Sequence, residues 1–133
     1  ALDFAHATTP DGGLTWVVPF VKSVAGFTDG SGSLADNVYA ATVHATLVTD
    51  AYGQHLAGGD QVKNFHRLYG DVNGDKRISN ADFTFFSNTY NASFGQPNYN
   101  RYFDFPGTNA KISNADFTQF SNRYGKSFVY TAN

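Results

Sequence analysis

All eleven acidic residues of this 133-residue chain are Asp, and the most informative of them lie in one short segment. That segment reads Asp71-Val72-Asn73-Gly74-Asp75-Lys76-Arg77-Ile78-Ser79-Asn80-Ala81-Asp82. Counted as a twelve-residue loop, it places the oxygen side chains of Asp71, Asn73, Asp75, Ser79 and Asp82 at positions 1, 3, 5, 9 and 12. Arg77, at position 7, would add its backbone carbonyl. A hard divalent cation needs several oxygens converging at about 2.3–2.6 Å, and this spacing wraps them around one centre, so the expected cofactor is Ca2+. Asp71, Asp75 and Asp82 would otherwise repel one another, which predicts a poorly ordered loop without metal. Ile78, at position 8, is expected to bury itself between paired loops. Position 6 usually holds Gly because the backbone turns left-handed there. Lys76 at that position costs roughly 1–2 kcal/mol.

Other chemistries lack their residues. Cysteine is absent, which removes disulfides, thiolate metal sites and cysteine nucleophiles. No Gly-rich phosphate loop, nucleophile elbow or paired-His metal motif occurs. His6, His44, His55 and His66 are scattered and read as surface or packed residues. The expectation is a protein without catalytic activity. A formal charge of -2 lacks the basic footprint that nucleic-acid binding requires. No apolar run approaches the roughly 20 residues of a membrane helix.

The elements that must position the loop come from a repeat. Residues 78–90, ISNADFTFFSNTY, match residues 112–124, ISNADFTQFSNRY, at eleven of thirteen positions with an offset of 34. The differences are Phe85/Gln119 and Thr89/Arg123. Phe83, Phe86 and Tyr90 fall at i, i+3 and i+7, as do Phe117, Phe120 and Tyr124, so each copy reads as a helix with one aromatic stripe. Ser79 and Ser113 each precede an Asp by three residues, the spacing of an N-terminal cap. Gly125 suits the left-handed residue after the second helix. The two stripes are expected to pack on each other about an approximate two-fold axis, with Phe85 turned to the other half of the chain.

The loop before the second helix is degenerate. Counting back from Asp116 puts Phe105 at position 1 and Gly107 at position 3, and neither offers a side-chain ligand. Taking Asp104 as the first ligand lengthens the loop to thirteen residues. Asp104, Asn109, Ser113 and Asp116 then form a weaker second site.

The first seventy residues have a strand period instead. Residues 14–20 alternate around Leu14, Trp16, Val18 and Phe20, after an Asp11-Gly12-Gly13 turn signal. A long strand is expected over 38–48, closed by the turn Asp50-Ala51-Tyr52-Gly53. Weaker strand signals lie at 2–7, 21–27 and 61–65, and a Gly/Ser loop at 29–33. Pro19 points to an edge or a bulge. Four or five strands fall short of the roughly seven of an immunoglobulin-like sandwich. Either a small sheet packs on the helical half or a strand from another chain completes it. Residues 2–7 are the candidate donor, with an ordinary first strand as the alternative.

With 13 Phe and 8 Tyr the chain has ample apolar area for a core. Asn91-Ala92-Ser93 matches an N-glycosylation acceptor, and Thr8-Thr9-Pro10 offers O-linked sites.

GDVNGDKRISNADFTFF and the degenerate FDFPGTNAKISNADFTQF resemble the duplicated loop–helix segments of a type I dockerin. The preceding SLADNVYAATVHATLVTDAYGQHLAGGD resembles the closing strands of bacterial immunoglobulin-like modules, and KNFHRLYGDVNGD is similar to C-terminal regions of large secreted planctomycete-type proteins. The resemblance implies an α+β chain. An immunoglobulin-like β module short of strands would span 1–66. A dockerin-like, EF-hand-type repeat pair with a C-terminal tail would span 67–133. It further implies an extracellular or cell-surface setting, and it puts the partner-selecting positions at Asn80-Ala81 and Asn114-Ala115. The functions that follow are a calcium-stabilised structural subunit that self-associates, by strand donation into a filament, or an anchoring module for a cohesin-like receptor. Carbohydrate binding through exposed Trp16 or Tyr residues is a third expectation.

Overall fold

The repeated sequence writes the same local geometry twice. In a computed structural model, which describes residues 2–21, 33–105 and 110–132, helix α1 spans Asn80–Thr89 and helix α2 spans Asn114–Ser121. Each begins with a complete capping box. The Ser79 side chain accepts from the helix's first turn, and Asp82 Oδ2 accepts from Ser79 N at 2.8 Å. Ser113 and Asp116 do the same at 2.7 Å. These bonds satisfy main-chain donors that a helix start leaves unpaired.

The aromatic stripes meet as expected. Phe86 and Phe120 are buried and stacked, with ring centres 5.0 Å apart. Phe86 also meets Phe117 at 5.8 Å, and its counterpart Phe120 meets Phe83 at 6.2 Å. Leu68, Tyr69, Ile78, Phe103 and Ile112 complete one core. Gly70 sits against it with φ of 104°, and a Cβ there would come within 3.1 Å of Ile78 Cδ1 and of the Phe120 ring. Left-handed backbone and a close neighbour both require glycine at this position.

Main-chain bonds follow the same two-fold relation. Ile78 N donates to Lys126 O, Gly125 N to Ile78 O and Phe128 N to Lys76 O. At an offset of 34, Ile112 N donates to Ala92 O, Asn91 N to Ile112 O and Phe94 N to Ala110 O. Each loop is therefore tied to the segment that leaves the opposite helix. Ile78 is buried, as expected, but its main chain pairs with Gly125 and Lys126 rather than with the other loop. Left-handed residues recur in register, Lys76 with Ala110 and Gly125 with Asn91.

The first half is an open antiparallel pair, β1 (Asn37–Val43) with β2 (Gln61–Arg67), in register from Asn37↔Arg67 to Val43↔Gln61. The chain is thus a mixed α+β protein. The strand expected over 38–48 stops at Val43 because Asp60 intervenes. Its Oδ1 accepts from Ala45 N at 2.9 Å and its Oδ2 lies 2.8 Å from His44 Nδ1, turning Ala45–Leu47 into a short 3-10 turn. The Asp50 turn forms as expected, with Asp50 Oδ1 accepting from Tyr52 N and Gln54 N. Residues 14–20 touch residues 2–8 only through single bridges, Leu2↔Phe20 and Thr8↔Val17. The strand expected at 2–7 is interrupted by a 3-10 turn at Phe4–His6, anchored by the 2.7 Å contact of His6 Nδ1 with Asp3 Oδ2. The 21–27 strand and the 29–33 loop lie almost wholly outside the described residues.

Asp36 joins the halves. Its carboxylate accepts from Arg67 Nη1 at 2.9 Å, from Tyr69 N at 2.7 Å and from Arg123 Nε. Gln119 Oε1 accepts from Arg123 Nη1 at 2.7 Å and steadies that guanidinium. Phe85, expected to face the β half, is instead 52 % exposed. Among the described residues no helix is long and apolar enough to cross a membrane.

Candidate metal centre

The first loop folds around Asp71. Its side chain is fully buried and collects four donors. Oδ1 accepts from Gly74 N at 2.8 Å and Asp75 N at 3.1 Å. Oδ2 accepts from Lys76 N at 2.9 Å and from His66 Nε2 at 2.6 Å. The left-handed turn expected at position 6 is present, with Lys76 at φ of 72°. That turn aims the Lys76 amide at Asp71.

Asp82, at position 12, is buried as well. Its Oδ1 accepts from Val72 N at 3.0 Å, and its Oδ2 accepts from Ser79 N and from Ser79 Oγ at 3.2 Å. One carboxylate therefore caps α1 and clasps the start of the loop. Asp75 and Asn73 are exposed and bond each other, Asn73 Nδ2 donating to Asp75 Oδ2 at 3.1 Å. Asp75 Oδ1 accepts from Arg77 N at 2.9 Å.

Two observations bear on how a hard cation fits. Asp71 and Asp82 are both buried, and neither has a Lys or Arg ion pair among the described residues. Buried carboxylates compensated by N–H and O–H donors alone are the groups a divalent ion would stabilise most. The loop's carboxylate oxygens, however, accept from its own main-chain amides. Among the described residues no three His or Asp side chains gather about one point. The residue types suit calcium, and the arrangement would have to open for the ion to enter.

In the second loop, Asp116 repeats the work of Asp82, accepting from Phe105 N at 2.7 Å and from Ser113 N and Ser113 Oγ. Asp104 stands apart from this network. Its Oδ2 accepts from the Tyr99 hydroxyl at 2.6 Å, while Oδ1 is buried without a hydrogen-bond partner among the described residues. Burial and then the bond to Asp104 push the Tyr99 phenol upward. Asn109, the remaining ligand expected for this site, lies outside the described residues.

Sequence reasoning missed His66 as the group that closes the first loop from outside. His66 belongs to β2, and its Nδ1 lies 2.8 Å from the Tyr130 hydroxyl. Lys76 Nζ donates to Tyr130 O at 3.1 Å and lies 4.3 Å over the Tyr130 ring. The only local signal was a histidine five residues before Asp71.

Comparison with known protein families, characterised proteins and solved structures finds no match to this chain.

Proposed function

We propose that the chain is a non-catalytic, extracellular structural subunit that self-associates. On this reading a dockerin-like helical pair, stabilised by Ca2+, is the block, and an immunoglobulin-like module short of strands is the joint.

The observation that carries the reading is the apolar surface of the first half. Leu14 is 90 % exposed, Leu47 80 %, Phe4 72 % and Trp16 61 %. Before Leu68, only Leu34 and Ala45 are buried hydrophobics among the described residues. A two-stranded sheet is marginal by itself, and apolar surface on this scale marks contact with other molecules. Contact of one copy's first half with a different surface of the next is heterologous, and it yields filaments when the rotation does not close.

The test is negative-stain imaging and sedimentation of the purified full chain in calcium. Long polymers without any added partner are expected. Deleting residues 1–9 should abolish them while leaving calcium binding, read by calorimetry, intact. A single monomeric species at every concentration would overturn the reading. Polymers that survive the deletion would remove residues 2–7 as the donor.

A second reading, anchoring to a cohesin-like receptor, is favoured by the outer face of the helix pair. Two apolar hollows there are related by the repeat. Asn80, Phe83, Phe117, Phe120, Ser121 and Tyr124 line one, and Asn114, Phe117, Phe83, Phe86, Ser87 and Tyr90 line the other. Neither has a charged lining residue, as is common at the centre of protein interfaces. A calcium-dependent monomer that binds a cohesin-like domain, and loses it equally through Phe83→Asp or Phe117→Asp, would favour this reading. Asn91, Thr8 and Thr9 are exposed, which suits glycosylation. The Thr9 hydroxyl already serves the local turn by accepting from Gly13 N at 2.6 Å.

A further inference from the structure

We propose that His66 holds the place at Asp71 that calcium would take, so that filling the first loop and docking the C-terminal segment 126–131 exclude each other. The inference rests on the calcium reading of that loop and goes beyond it by naming what the ion must displace.

The two oxygens of a carboxylate offer about four acceptor positions, and Asp71 has four donors. Three are amides of the loop itself. They create its turn and cannot leave without unfolding it. The fourth, His66 Nε2, comes from β2, so it is the one donor that can withdraw while the loop stays folded.

The imidazole is not held by Asp71 alone. Its Nδ1 meets the Tyr130 hydroxyl, and its ring packs on Phe128 and Tyr130 at 6.2 and 5.7 Å. Tyr130 is held in turn by Lys76, through its carbonyl and its ring face. Asn64 Nδ2 donates to Thr131 O at 3.2 Å, and Phe128 N donates to Lys76 O at 2.8 Å. The segment is therefore latched to β2 and the first loop together. A divalent ion on Asp71 Oδ2 would expel His66 and remove a partner of Tyr130. It would also place two positive charges on the loop whose Lys76 ammonium holds the rest of the latch. Each change loosens the same segment.

The experiment uses the full chain, with amide hydrogen exchange and calorimetric calcium titration on wild type, His66→Ala and Tyr130→Phe. Calcium should speed exchange at Phe128 about tenfold while leaving amides within α1 and α2 no less protected, a factor matching a charge-assisted hydrogen bond of about 1.5 kcal/mol. His66→Ala should bind calcium about tenfold more tightly and show a fast-exchanging 126–131 segment before any calcium is added. Tyr130→Phe, which keeps the ring and removes only the hydroxyl, should shift both readouts the same way by a smaller factor and carries the test if His66→Ala does not fold. Calcium binding with the segment's protection unchanged, or a variant that binds no more tightly, overturns this inference and leaves the calcium reading standing. Absence of calcium binding in wild type and both variants overturns the two together.

Discussion

Asp36 shows how one carboxylate can join two parts of a chain. Arg67, Tyr69 N and Arg123 converge on it across separations of 31, 33 and 87 residues. Asp36→Ala removes the one carboxylate that two partly buried guanidinium groups and an amide share. Because the site is partly open to water, the cost should be about 2 kcal/mol, read as a lower urea midpoint. Asp71 and Asp104 contrast more sharply. Asp71→Ala removes the acceptor of four donors, of which Asp75 N keeps Asn73 Oδ1 at 3.0 Å, so it should destabilise by about 2–3 kcal/mol even in chelator. It should also weaken calcium binding. Asp104→Ala removes one accepted bond, from the Tyr99 hydroxyl at 2.6 Å, and one oxygen without a partner among the described residues, so thermal melts should show a smaller loss. Equal losses would contradict this ranking. At this scale the sequence revealed the caps, because Ser-x-x-Asp acts over a single turn. It could not reveal His66, whose relation to Asp71 depends on the end of β2 and on a tail 64 residues further on.

At the scale of elements, the two mismatches within the repeat explain its asymmetry. Gln119 and Arg123, the second copy's differing residues, both serve the junction with Asp36. In the first copy Thr89 is buried and its hydroxyl accepts from Asn100 N at 2.9 Å, while Phe85 stays at the surface. The core ignores these differences. Phe86 and Phe120 occupy equivalent places at its centre, so Phe86→Ala and Phe120→Ala should each cost about 3–5 kcal/mol and nearly the same amount. Chemical denaturation of the two variants side by side checks this, and a difference above about 1.5 kcal/mol would mean the two sites are not equivalent. Helix position and facing were legible because period and caps are local. The strands were less so: Asp60 ends β1 from fifteen residues away, a contact that alternation does not encode.

For the whole molecule, the phenols set an alkaline limit. Burial pushes Tyr102 up to about 12, and burial, with Asp116 next in weight, moves Tyr69 further in the same direction. The unfolded chain releases these protons near pH 10, whereas the folded chain keeps them, so the folded state binds more protons above that point. Stability should therefore be fully present below about pH 10 and fall as the pH rises towards 12. Melting temperatures taken across that window, with phenolate absorbance followed alongside, should show ionisation of these tyrosines only together with unfolding. A flat melting temperature between pH 10 and 12 would contradict their burial. The same scale holds the contrast behind the proposed assembly: residues after 67 close a core of their own, and the residues before it leave Leu14, Trp16 and Leu47 in water.

Composition, the 34-residue repeat and the Asp spacing were enough to specify two capped helices, their aromatic faces and one oxygen-rich loop, because each depends on neighbours within a turn or two. Tertiary contact alone decided that the loops are tied to the segments leaving the opposite helices. It also set Asp36 to bridge the halves and brought His66 rather than a third carboxylate to Asp71. Those outcomes depend on which distant groups arrive at a buried charge, and a carboxylate that must be satisfied will take the nearest donors the fold brings to it.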